Sequence, residues 1–141
     1  MGRRRKYWRS IWIDKAEIWG SQNICFYCGA KADSIDHVIS YSRLRKLIAL
    51  EDKALTQKII SRRALKVWAC RECNCLLRDS TQESLSERKV YLKKKLRRRY
   101  KHILELPHWE PDEIEELGYN MKVYVTNSQK FKDYIKLRVA H

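Results

Sequence analysis

Two Cys-x-x-Cys pairs, Cys25–Cys28 in "CFYC" and Cys70–Cys73 in "CREC", constrain this chain more than any other feature. Each pair makes a short turn that presents two sulfurs on one side. Two such knuckles can close a tetrahedral Zn²⁺ site with no open position. Thiolate donors in that geometry suit zinc over magnesium or calcium. A redox pair would need no second Cys-x-x-Cys, and neither flank offers the strand-to-helix context of a thioredoxin-like motif. An Fe–S cluster would use the same four ligands and stays open on sequence grounds. The fifth cysteine, Cys75, reads as a buried spare. An odd number of cysteines without a leading secretory signal argues against a disulfide framework.

A plain zinc ribbon separates its pairs by roughly 15–20 residues, whereas 41 residues lie between Cys28 and Cys70. That interval contains "SIDHVIS", in which Asp36 and His37 sit side by side between apolar residues. The two residues alone allow either a satisfied buried pair on a strand or a metal ligand beside a general base.

The rest of the chain reads mainly as helix. Residues 10–19, "SIWIDKAEIW", are expected to be helical, with Ser10 as N-cap and Gly20 as stop. "NICFYCGAKADSIDHVIS" reads as a knuckle followed by a short strand. In residues 44–66, Leu44, Leu47, Ile48, Leu55, Ile59 and Ile60 recur at near-helical spacing. A long helix is expected from Ser84, with Leu85, Leu92, Leu96, Tyr100 and Ile103 on one stripe and Pro107 as its end. Beyond it, "EPDEIEELG" reads as a short capped helix, "MKVYV" as a strand, and "SQKFKDYIKLRVA" as a last helix capped by Ser128. The composition shift divides the chain into residues 1–108 and a C-terminal extension, 109–141, packed on them. Trp8, Trp12, Trp19, Trp68 and Trp109 lie next to apolar positions and are expected in the core. His102, His108 and His141 have no motif partner and read as surface or packing residues.

Charge narrows the partners. The chain carries a net +14, and residues 1–109 hold 26 Lys/Arg against 11 Asp/Glu, while residues 110–141 hold 5 against 6. A concentrated positive field favours a polyanion, through long-range attraction and counterion release. DNA is the first expectation, RNA the less favoured one, and an anionic membrane surface comes after both. No apolar run approaches the length of a membrane span, so a soluble intracellular protein is expected. Six cations fall within "KKKLRRR" (Lys93, Lys94, Lys95, Arg97, Arg98 and Arg99), followed by Lys101, and these are expected to meet phosphates.

In the order Cys-x-x-Cys, Asp-His, Cys-x-x-Cys-Asn, here "CFYC", "IDHVIS" and "CRECN", the chain resembles the zinc-bound HNH endonucleases over roughly residues 22–80. The resemblance implies an α+β fold: a small zinc-stabilised ββα-metal core, here with a helical insertion, a long basic helix and a C-terminal helix–strand–helix extension. It implies a metal-dependent endonuclease that nicks or cuts DNA, with His37 as general base. Asp36 and Asn74 would hold one Mg²⁺ or Mn²⁺ ion, and Arg71 and Arg78 would contact phosphates. Oxygen donors suit such a hard cation, which offsets the charge built up in phosphodiester cleavage. Small basic members of the family are typical of bacteriophages and mobile elements, acting in the bacterial cytoplasm. A packaging or replication protein is then a conceivable partner. A monomer would nick one strand, and a two-fold homodimer would cut both.

Leu65 stands where the family usually has an Asn, an apparently helical insertion replaces its Gly-rich loop, and Ser40 and Leu77 replace a common Pro and Lys. Leu65 and the missing glycines support the alternative, an HNH scaffold with a decayed site that acts as a zinc-stabilised nucleic-acid-binding or regulatory protein.

Overall fold

The structure is a computed structural model, and it describes residues 18–38, 66–78, 80–82 and 84–141. The expected helices at 10–17 and 44–65, the residues Trp8, Trp12, Ser40 and Leu65, and the helical insertion lie outside the described residues.

The fold is small and α+β. A three-stranded sheet is formed by β1 (Ile18–Trp19), β2 (Ser34–His37) and β3 (Lys66–Ala69). Its order is β1-β3-β2. β2 runs antiparallel to β3, pairing Asp36 with Val67 and His37 with Lys66, while β1 runs parallel to β3. Five helices follow: α1 (Arg71–Leu76), α2 (Leu85–Arg99), α3 (Lys101–Leu104), α4 (Pro111–Glu115) and α5 (Tyr119–Ala140). α1 lies on β2, α2 packs on α1, and α5 packs along α2, α3 and α4.

Local chemistry accounts for most of these boundaries. The first knuckle closes through Cys25 N–H to the Ala30 carbonyl at 2.7 Å and Gly29 N–H to the Cys25 carbonyl at 2.9 Å. Gly29 holds φ +72°, a backbone conformation that side chains resist. Phe26 N–H then joins the knuckle to β3 at the Trp68 carbonyl, 2.9 Å away. α1 begins at Cys70, whose sulfur accepts from Cys73 N–H at 3.4 Å, so one side chain both caps the helix and faces the cluster. Ser84 caps α2 by accepting from Glu87 N–H. Pro111 and a reciprocal Glu110–Glu113 capping box start α4.

The core gathers the knuckles, β3, one face of α2 and the end of α5: Cys25, Tyr27, Cys28, Val67, Ala69, Cys73, Leu92, Leu96, Ile135 and Val139 are all buried. The stripe read on the long helix is present, with Leu92 and Leu96 at 1% exposure and Leu85, Tyr100 and Ile103 packed against them.

Several expectations are corrected. Ile18 and Trp19 are strand and not helix, because they pair with Lys66 and Val67. Lys66 likewise opens β3 where a helix to residue 66 was expected. The long helix ends at Arg99 and not at Pro107. Tyr100 leaves helical geometry there (φ −105°, ψ 19°), and one further turn, α3, follows. "MKVYV" is helical, not a strand, and Ser128 lies inside α5. Its alternating pattern has no partner strand among the described residues, and packing against α2, α3 and α4 decides the outcome. Trp19 is 48% exposed, and Cys75 is exposed rather than buried. Among the described residues, no helix is long and apolar enough to cross a membrane.

Candidate metal centre and the neighbouring Asp-His strand

The two knuckles meet. The ligand atoms of Cys25, Cys28, Cys70 and Cys73 all lie within 4.8 Å of one another, and all four residues are buried. Cys28 Sγ and Cys70 Sγ are 3.7 Å apart, too far for a disulfide. Four sulfurs at Zn–S distances of ~2.3 Å around a tetrahedral centre would stand about 3.8 Å from each other. The cluster therefore fits a metal such as zinc in donor type, number and spacing. Crowding sets the thiols against one another. Cys73 is pushed well up by its three neighbours, and Cys70 is raised, chiefly through Cys25 and Cys28. Cys28 is drawn down by hydrogen bonds from the other three. Cys25 is opposed by Cys28, but Cys70 and Cys73 bring it to about 7. A divalent cation would resolve this conflict by allowing all four sulfurs to be thiolates at once.

The cluster is also held from outside. Arg138, near the end of α5, donates from Nε to Cys28 Sγ at 3.3 Å and from Nη2 to Cys70 Sγ at 3.8 Å. Its Nη1 pairs with Glu72 Oε2 at 2.7 Å. Burial alone would weaken the charge of Arg138, but the Cys28 and Glu72 hydrogen bonds outweigh it and raise the pKa. Nothing in the sequence marks Arg138, which lies 65 residues beyond the last cysteine of the pairs. Its only signal is a cation on the inner stripe of an amphipathic helix.

Asp36 and His37 leave β2 towards opposite faces, because successive side chains of a strand alternate. Asp36 shares its face with Val67 and is 3% exposed. Arg88 of α2 grips its carboxylate, Nη2 to Oδ1 at 2.7 Å and Nε to Oδ2 at 3.1 Å. Tyr27 Oη donates to Oδ2 at 2.5 Å. Burial, then the negative charge of Asp36, push the Tyr27 hydroxyl pKa far up. Arg88 spends its remaining donors on the Val38 and Gln82 carbonyls. His37 is half-buried at the end of β2, beside its cross-strand neighbour Lys66.

Asn74, on α1, donates from Nδ2 to the Ile35 carbonyl at 3.1 Å and to Ser34 Oγ at 3.4 Å. This tie fixes the amide against the strand that carries Asp36 and His37. Among the described residues, no hydrogen bond reaches its oxygen, the atom a hard cation would take. Asp36 and Asn74 each carry an oxygen of the kind a hard cation takes. What opposes the ion is Arg88, whose charge already lies on both carboxylate oxygens. Sequence reasoning singled out Asp36, His37 and Asn74 but missed Arg88 and Tyr27.

The cationic residues divide in two. Arg99 pairs with Glu72 at 3.2 Å and Lys101 with Glu105 at 3.8 Å, and Lys95 lies over the Tyr91 ring. Lys93, Lys94, Arg97 and Arg98 fall on the outward arc of α2 and have no acidic partner among the described residues. Arg71 and Arg78 are exposed near α1, as are His102, His108 and His141 on their own segments.

Comparison with known proteins finds no matching family model, no matching curated protein and no matching solved structure.

Proposed function

We propose that this chain is a zinc-stabilised endonuclease of the HNH type that acts on DNA. The observation that carries the reading is the Asn74 tether: a helix starting at the second knuckle holds an amide onto the strand of Asp36 and His37. Strand, strand and helix follow in the order of a ββα unit, with the cysteine cluster behind them. His37 is the base that takes a proton from the attacking water. Imidazole suits that task because its ordinary pKa lies near neutrality. Asp36 and Asn74 would hold a Mg²⁺-type ion, which supplies charge stabilisation at the phosphate when bound. Tyr27 and Arg88 orient the Asp36 carboxylate. Lys93, Lys94, Arg97 and Arg98 offer four charges with no acidic partner among the described residues along two turns of α2, the spacing of a surface that follows a phosphate backbone.

The second reading, a DNA-binding scaffold that does not cut, is favoured by one observation. The Arg88 guanidinium covers both oxygens of Asp36.

One experiment separates them. Supercoiled plasmid is incubated at low salt with Mg²⁺ or Mn²⁺ and wild type, His37→Ala or Asp36→Asn, with binding measured in parallel by mobility shift. The nuclease reading expects nicked or linear plasmid from wild type only, with His37→Ala binding normally. Binding by all without cleavage by any, across plasmids of varied sequence, supports the scaffold. In either case, changing Lys93, Lys94, Arg97 and Arg98 together to Gln should weaken binding and flatten its salt dependence, by roughly 0.9 in log–log slope per lost phosphate contact. An unchanged slope would remove α2 from the interface.

A further inference from the structure

We propose that Arg138 is a positioning residue for the four-cysteine site, so that the C-terminal helix and the bound metal hold each other in place. This inference is independent of whether the protein cuts DNA.

The geometry is specific. Arg138 reaches one sulfur of each knuckle, Cys28 and Cys70, and with its third nitrogen the carboxylate of Glu72. Glu72 lies between the two cysteines of the second pair and is itself held by Tyr100 Oη at 2.6 Å and by Arg99. The guanidinium is flanked by the rings of Tyr134 and Tyr100, centred 5.5 and 6.0 Å away. One residue after Arg138, Val139 enters the core. Two further on, the His141 ring lies so close to Gly29 that an added Cβ there would come within 3.0 Å of it. The last turn of α5 therefore closes over the first knuckle and bridges it to the second.

Charge gives the arrangement its consequence. Four thiolates around one divalent cation carry a net −2, buried away from water. N–H groups donated to the sulfurs spread that charge and hold the ligands in the directions the metal needs, as outer partners do in other metal sites. A buried guanidinium in turn requires anionic partners. Without the metal nothing holds the four sulfurs together in front of Arg138, and Glu72 is the ion pair left to it among the described residues. The end of α5 then loses much of its reason to stay docked. Because the two effects are one coupling, metal tightens the helix by the factor by which the helix tightens metal.

The test uses the full chain, loaded with zinc. Release of zinc to an excess of a chromogenic chelator is timed for wild type, Arg138→Met, Arg138→Lys and Val125→Ala. The last removes a buried contact of α5 far along the helix from the sulfurs and controls for general loosening. Outer-sphere changes typically cost about 10–100-fold in metal affinity. Arg138→Met should release zinc faster by that order, Arg138→Lys should recover part of the loss, and Val125→Ala should stay near wild type. Cobalt-loaded Arg138→Met should also show its thiolate-to-metal charge-transfer band displaced to longer wavelength, since sulfurs freed of N–H donors are more easily oxidised. Hydrogen exchange at residues 135–141 should be faster in zinc-loaded Arg138→Met than in zinc-loaded wild type. The proposal is overturned if Arg138→Met keeps both the wild-type release rate and the wild-type cobalt band. It is equally overturned if Val125→Ala matches Arg138→Met in zinc release, or if exchange at residues 135–141 is the same in zinc-loaded Arg138→Met and wild type. Should Arg138→Met fail to fold, Arg138→Lys with the cobalt spectrum carries the same decision.

Discussion

Arg88 and Arg138 are both 5% exposed, both reach inward from a long helix, and both end on the knuckle–strand core, yet they are balanced differently. Arg88 of α2 meets one buried carboxylate, with Tyr27 and two carbonyls completing the set. Within that cluster the charge of Arg88 is matched by the carboxylate it touches. Arg138 of α5 divides its donors between Glu72 and two sulfurs whose charge depends on a metal. One arginine is balanced by a carboxylate of the chain itself. The other lies against a thiol cluster that a metal such as zinc could fill.

Metal removal is the largest way to break this contrast. Structural zinc in small domains contributes an apparent ~10–16 kcal/mol near neutral pH, as much as the whole stability of a typical domain. Stripping the metal should therefore abolish the near-ultraviolet circular dichroism of the tyrosines and tryptophans around the knuckles, and adding zinc back should restore it. A spectrum unchanged after verified metal loss would mean that the hydrophobic core alone holds the fold.

Arg88→Met comes next. It leaves Asp36 buried with Tyr27 as its remaining polar partner, and breaking a buried pair from one side costs about 3–5 kcal/mol. Urea unfolding of the metal-loaded protein should show this loss. The double variant Asp36→Leu/Arg88→Met should recover most of it, since no charge is left stranded. In Arg138→Met, Glu72 keeps Tyr100 and Arg99, so the cost in stability should be smaller, about 1.5–3 kcal/mol, even as zinc is lost faster. Equal costs at the two arginines would erase the distinction.

The sequence made the ligand set legible because metal chemistry restricts both residue type and spacing: Cys25, Cys28, Cys70 and Cys73 could be read without a fold. Asn74 was singled out only through the resemblance to the HNH motif, since neither its residue type nor its spacing marks it. Helix α2 was legible because Leu92 and Leu96 recur at helical spacing after Ser84. Arg88 and Arg138 were not, because an inward cation looks like any other in a chain with 31 Lys/Arg. Their roles come from partners 52 and 110 residues away. "MKVYV" failed for the complementary reason. Its β-branched residues state a local preference, while Val125, buried within α5, shows that packing overrides it.

The smallest effect asks how complete the Arg88 cluster is. Tyr27 donates to Asp36 Oδ2 and accepts from Arg88 Nε at 3.3 Å, so its hydroxyl closes the loop between the two. Tyr27→Phe should cost about 1.5–3 kcal/mol, the range for a hydrogen bond to a charged group. The pH dependence adds a sharper sign. Burial and the Asp36 charge raise the Tyr27 pKa in the folded state above its ordinary value of 10.0. The folded chain therefore keeps a proton that the unfolded chain gives up. Below pH 10 this contribution is complete. As pH rises further, stability falls, by at most about 1.4 kcal/mol per unit for one such group. Burial also raises Tyr100 and Tyr134, so the wild-type decline includes their share. Tyr27→Phe should start less stable at pH 8 but decline less steeply between pH 10 and 11, measured by urea unfolding. Parallel declines would mean that Tyr27 ionises as freely folded as unfolded, and that the Asp36–Arg88 pair is open to solvent.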